Sequence, residues 1–312
     1  MIPLPADLSL GMPILRPRSA LHWIKTFGIM AVLTFLLMWL GAAIGGQSGA
    51  AVAFVLAFAI NFFSYWFSDK LALASNGARP LAREEAPWLY EMVERLARRA
   101  GIPPPPLYLI PTQTPNAFAT GRNPQHAAVA VTEGILQLMD RRELEGVLAH
   151  ELSHVVNRDT LITTFAATLA GAVSQLAMMW RWGALFGGGS YGDREERGGG
   201  GLGVLLAVLL APLAALLLQL ALSRRREYAA DESGARLVGD PEGLADALEE
   251  LERGNRQLPF DASPTTAPLY IVNPLSGEGI TGLFSTHPPT EKRIARLRAM
   301  VMTGSAVAPV AR

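Results

Sequence analysis

Four apolar stretches divide this chain, and each is long enough to cross a hydrocarbon core of roughly 30 Å. They run from Phe27 to Ile44, from Ala50 to Phe67, from Leu161 to Trp180 and from Val204 to Leu222. In lipid every backbone polar group must be bonded within its own element, so segments of this kind are expected to be helices. Only a few small residues separate the first two, which predicts a tight hairpin. Charged residues make up only 17% of the sequence, a lean share that fits lipid contact better than a wholly soluble domain. The first stretch has too long an apolar run, and too extended a segment before it, for a cleaved leader, so it is read as an uncleaved anchor. The third carries Thr163, Thr164, Thr168, Ser174 and Gln175. That polarity suits a span and equally suits a helix buried beside the rest of the chain.

Cations set the orientation. Arg16, Arg18 and Lys25 precede the first stretch; Lys70, Arg79 and Arg83 follow the second. Arg141, Arg142 and Arg158 precede the third, and Arg224, Arg225 and Arg226 follow the fourth. If all four cross, these groups share one side. The other side keeps Arg181, Arg194 and Arg197, the last two among Asp193, Glu195 and Glu196 in a Gly-rich loop. Both termini are therefore expected in the cytoplasm. The chain has no net charge and no basic stripe interleaved with aromatics, which argues against a nucleic-acid partner. It has no cysteine, so disulfides, thiolate metal sites and a thiol nucleophile are excluded.

Between the two apolar pairs lies Ala149-His150-Glu151-Leu152-Ser153-His154. Asp140 and Glu143 read as an N-cap and its capping partner, and Leu144, Val147, Leu148, Leu152 and Val155 recur at helical spacing. The motif is thus expected on an amphipathic helix. Residues four apart on a helix share one face, so His150 and His154 can converge on one metal ion while Glu151 stands beside it as a proton carrier. That arrangement suits a hydrolase using zinc, with general acid-base help from the carboxylate.

A catalytic zinc site needs a third protein ligand and leaves one position open. Three residues after His154 stands Asn157 and six after it Thr160, which rules out the pattern with a Gly and a third His at those places. A carboxylate from another helix is then expected. Ser223-Arg224-Arg225-Arg226-Glu227-Tyr228-Ala229-Ala230-Asp231 offers two acids on one helical face. Glu227 is assigned to the metal and Asp231 to the free ring N–H of a ligand histidine. His154 lies seven residues before the third stretch and Glu227 five after the fourth, so two crossings would return the chain to a site at the membrane surface.

These segments, with Asn116-Ala117-Phe118-Ala119-Thr120-Gly121 and Ser285-Thr286-His287-Pro288-Pro289-Thr290-Glu291-Lys292-Arg293-Ile294, resemble the HtpX-type membrane zinc endopeptidases, relatives of the CAAX prenyl protease, over nearly the whole chain. The resemblance implies zinc held by His150, His154 and Glu227, one ion per chain, with Glu151 as the catalytic glutamate. It implies cleavage of misfolded or short-lived membrane proteins on the cytoplasmic side of a bacterial inner membrane, in protein quality control and stress response. It also suggests that His287 reaches the site as an oxyanion donor. The prenyl protease has more spans than this chain offers, which speaks against prenylated substrates.

Leu107–Ile110, Asn116–Ala119 and Ala128–Val131 read as short strands. Of these, Asn116, Ala117, Phe118 and Ala119 form the candidate edge for an extended substrate, an assignment the resemblance supports. Pro87–Ala100, closed by Gly101, and Pro241–Arg253, opened by Asp240, read as packing helices. Asn157 and Asp159 are expected to cap the motif helix or to link it to Asp231, and Tyr228 to pack. The fold expectation is a mainly α integral membrane protein with a small β-sheet, four transmembrane helices and a gluzincin-like zinc protease domain. Its parts are a segment 1–26, a hairpin 27–67, a first catalytic part 68–160, a second hairpin 161–222 with the loop 183–203, and a second catalytic part 223–312. The partners expected are protein or peptide substrates and the bilayer. The rival reading is a catalytically silent zinc-binding scaffold or chaperone adaptor, against which Glu151 argues, since a structural site has no use for an unliganded acid.

Overall fold

The computed structural model of the chain describes residues 19–164, 224–257, 271 and 288–302. The fourth apolar stretch, most of the third, the loop 183–203 and His287 lie outside the described residues.

Helix α1 (Ser19–Ser75) is two helical arms joined at Gly45 and Gly46, where the backbone leaves helical dihedrals. Gly46, at φ 61° and ψ −144°, occupies a conformation open to glycine and strained for other residues. The arms fold back on each other. A Cβ on Gly41 or Gly49 would collide with the other residue's carbonyl, so the small residues allow close approach near the bend. Further along, the Asn61 amide donates to Thr34 Oγ1 at 2.9 Å and to the Met30 carbonyl at 3.4 Å. Phe35, Trp39, Phe54, Phe58, Phe62 and Phe63 point outward and are exposed. The stretch Gly45–Ser75, 31 residues, is long and apolar enough to cross a membrane.

The sheet has the order β1-β2-β4-β3, from β1 (Arg79–Pro80), β2 (Leu107–Ile110), β3 (Ala117–Gly121) and β4 (Ala127–Thr132). β2 and β4 run parallel with Leu107 opposite Val129, and β3 pairs antiparallel with β4, Ala117 opposite Val131. Helices α2 (Pro87–Ala100) and α3 (Glu133–Leu138) precede α4 (Arg141–Asn157), and α5 (Arg224–Val238), α6 (Pro241–Gln257) and α7 (Thr290–Met302) follow.

Asp140 and Glu143 close a complete capping box at the start of α4. The expectation of an amphipathic helix understates this element. Leu144, Val147, Leu148 and Leu152 are buried, and so are Gly146, Ala149, His150 and Ser153 on the rest of its circumference, because α2, α5, α6 and β3 all pack against it. Two glycines make that possible. A Cβ on Gly146 would lie 2.9 Å from the Leu244 backbone, and one on Gly234 would lie 2.8 Å from the His150 nitrogen, so both helix pairs meet backbone to backbone. Leu89, Val93 and Leu96 of α2, Val129 and Val131 of β4, and Leu244, Leu248 and Leu251 of α6 complete the core around α4.

Candidate metal centre

His150 and His154 stand one turn apart on α4 with their Nε2 atoms 3.2 Å apart. Glu227, near the start of α5, brings Oε2 to 3.7 Å from His150 Nε2 and Oε1 to 3.6 Å from His154 Nε2. One donor atom from each of the three lies within 4.8 Å of the others. Two nitrogens bound to one tetrahedral zinc at ordinary distances are about 3.3 Å apart, so the imidazole pair already has the spacing of a shared ion. Two imidazoles and a carboxylate, with no thiolate, form the donor set of catalytic zinc sites, and the residues present fit that ion.

Both rings are held from behind. Asp231 Oδ1 accepts from His150 Nδ1 at 2.9 Å, and Asp159 Oδ2 lies 3.4 Å from His154 Nδ1. A proton kept on each Nδ1 leaves the Nε2 lone pairs directed at the shared point. The structure assigns Asp159 a place that the sequence reading did not: it reaches His154 rather than Asp231, and the end of α4 is capped by the backbone N–H of Arg158, in the left-handed region at φ 60°. Asn157 is the last, half-buried residue of α4.

Arg293, which stands in the sequence reading only as part of the resembling segment, has no role there. Its guanidinium, 1% exposed, grips Asp231 with two bonds, Nη2 to Oδ1 at 2.6 Å and Nε to Oδ2 at 2.9 Å, and donates from Nη1 to the Ile271 carbonyl at 2.7 Å. The available signal was an arginine beside the buried stripe Ile294 and Leu297 of α7. A cation there is retained only when paired, because an isolated buried charge is costly.

Electrostatics divide the two histidines. Burial pushes His150 down to about 4 although Asp231 supports its charge. Burial also opposes charge on His154, but Glu227, Asp159 and Glu151 outweigh it and raise that ring to about 9. Glu151 is raised to about 7, chiefly by burial, against the pull of His154 and of a backbone bond. That bond comes from the Ala119 N–H, which donates to Glu151 Oε2 at 2.9 Å. Asp231 is driven down to about 2, its burial overcome by Arg293 and His150.

β3, with Ala117, Phe118 and Ala119, is one of the two edge strands of the sheet, and all its residues are buried. Asn116 precedes it, takes Thr132 Oγ1 as acceptor for its backbone N–H at 2.9 Å and offers its side-chain oxygen to the Ile271 N–H at 3.4 Å. The far end of the strand is tied to the helical residues 159–164: Thr160 donates to the Gly121 carbonyl at 3.0 Å, and the Thr120 and Thr164 hydroxyls are 3.1 Å apart. Tyr228, half-buried, carries the Arg296 guanidinium 4.3 Å above its ring.

Residues 83–301 match Peptidase family M48. The chain belongs to that family. Relatives agree: a protease HtpX homolog of Syntrophobacter fumaroxidans is 55% identical over 277 residues, 88% of this chain and 98% of that one. Another, of Pyrococcus furiosus, is 53% identical over 281 residues, 90% of this chain and 96% of that one. A crystal structure of S. mikatae Ste24p aligns at TM-score 0.48 and 19% identity, over 89% of this chain and 65% of that one. This M48 peptidase is accordingly a metalloprotease, a hydrolase of peptide bonds, with a mostly helical fold and a small sheet.

Proposed function

We propose that this M48 peptidase is a membrane-anchored, zinc-dependent endopeptidase whose centre is His150, His154 and Glu227 with Glu151 as the proton carrier. The observation that carries the reading is the convergence of those three side chains from two distant segments, with an unliganded buried acid next to them on α4. When bound, zinc supplies Lewis acidity, which polarises a peptide carbonyl and brings water within reach of deprotonation near neutral pH.

The chain's own residues do the rest. Glu151, whose burial raises its affinity for a proton, takes one from the attacking water and hands it to the leaving amine. Asp231 and Asp159 hold the ligand rings in one tautomer, and Arg293 fixes Asp231. An extended substrate pairs along β3 over Asn116, Ala117, Phe118 and Ala119, displacing Glu151 from the Ala119 N–H. His287 serves as a donor to the developing oxyanion.

The membrane reading rests on α1, whose outward aromatics leave a face with no soluble explanation. All four apolar stretches span the bilayer in this proposal, with the catalytic parts 68–160 and 223–312 and both termini on the cytoplasmic side. Substrates are then misfolded or short-lived membrane proteins, in quality control under stress. The relatives, protease HtpX homologs by name, support proteolysis itself. The test is metal analysis of detergent-purified protein with casein cleavage before and after chelation. About one zinc per chain and activity restored by zinc are expected. Full activity in metal-free protein would overturn the proposal.

A further inference from the structure

The aromatic flank of α1 ends in a cationic rim. Phe58, Phe62 and Trp66 run down one side of the helix with ring centroids 6.4 and 6.1 Å apart, and Phe63 stacks on Phe67 at 5.9 Å. Trp66 and Phe67 are 44% and 40% exposed, so this flank is open along its length. Lys70 Nζ then stands 5.7 Å from the Phe67 ring centroid. Arg122, just past β3, lays its guanidinium 4.7 Å from the Trp66 ring centroid and donates from Nη1 to the Trp66 carbonyl at 3.3 Å. Positions 66, 67 and 70 are within one turn of α1, so the two cations share one level of the hairpin. Among the described residues neither makes an ion pair, and the neighbouring acid Asp69 makes none with either.

Two cations in no ion pair among the described residues, set where exposed rings give way to polar residues, fit an amphiphile with an anionic head and an apolar tail. A free anion would use the cations and leave the rings bare. Resting on the membrane reading above, we infer that Lys70 and Arg122 form a site for an anionic phospholipid, its phosphate between them and its acyl chain along Trp66, Phe62 and Phe58. Arg122 directly follows Gly121, so the lipid also fixes the end of β3, the strand whose Ala119 N–H reaches Glu151.

The experiment reconstitutes the full chain in phosphatidylcholine bilayers and compares the association of spin-labelled phosphatidylglycerol with that of spin-labelled phosphatidylcholine. Wild type is expected to prefer phosphatidylglycerol. K70Q and R122Q should each weaken that preference about fivefold, R122K should retain it, and R95Q, on the α2 surface, should leave it unchanged. Equal association of the two lipids, or a preference indifferent to K70Q and R122Q, would overturn the site. Displacement of the labelled lipid by inorganic phosphate would reassign it to a free anion. A chain that enters no bilayer sinks the membrane reading and this site together, whereas entry without preference sinks the site alone.

Discussion

Arg293 and Asp231 form a two-pronged ion pair, buried almost completely, directly behind the His150 imidazole. Removing the cation leaves Asp231 as an unpaired buried charge, which costs about 3–5 kcal/mol. R293M should therefore lower the unfolding midpoint sharply and weaken zinc binding, and R293K, which loses the fork, should fall between. Thermal melts and competition with a zinc chelator measure both. A variant with unchanged metal affinity would show that this pair does not position His150.

Glu151 follows the ligand His150 on α4 without belonging to the ligand cluster, and its carboxylate accepts from the Ala119 N–H. E151Q keeps the shape and the bond from the Ala119 N–H but cannot take a proton. It should retain a full complement of zinc and lose casein cleavage by about a hundredfold or more. E227A, by contrast, should lose the metal. Cleavage by E151Q near the wild-type rate would remove the carboxylate from the chemistry.

A methyl group at position 234 has no room, since it would press on the His150 backbone. G234A should push α5 away from α4, costing about 1–3 kcal/mol of stability, and should widen the gap between Glu227 and the imidazoles. Zinc affinity should drop more than the melting point predicts. G28A, with nothing near its Cβ, is the control. Equal zinc affinity in G234A and wild type would contradict the spacing argument.

In the metal-free protein His154 is raised to about 9 while His150 is held down to about 4. At pH 8 one ligand is thus protonated and the other neutral, and a metal can bind only the neutral forms. Zinc uptake at pH 8 should release about one proton from His154, and below pH 9 its affinity should fall about tenfold per pH unit. Titration calorimetry in two buffers of different ionisation enthalpy reads the proton directly. A raised pKa gives the metal-free fold its full contribution from His154 below about 6.5, lost as pH climbs through about 9. The depressed Asp231 acts oppositely, contributing above about 4 and failing as pH drops through about 2.

Local rules made much of this fold legible. β2 occupies Leu107–Ile110 and α2 Pro87–Ala100 with Gly101 in the left-handed region, as the alternation and the Pro and Gly signals indicate. The strand before the motif is displaced: it covers Ala117–Gly121 rather than Asn116–Ala119, because Asn116 turns to Thr132 and Ile271. β1 and α3 carry too few residues to show a period. His150, Glu151 and His154 were visible because one helical turn brings them together. Arg293 and the partnership of Asp159 with His154 were not, since both depend on where distant elements dock. The burial of α4 on most of its faces depends on Gly146 and Gly234, and a lone glycine in a helix does not announce which neighbour it admits.

The reach of Arg293 also sets a timetable. It lies 143 residues beyond His150 and 62 beyond Asp231. While the polypeptide is still leaving the ribosome, the histidines and both acids emerge first, and Asp231 has no guanidinium to settle it. The pair behind His150 therefore cannot close until residue 293 has been made, although every ligand of the centre precedes it.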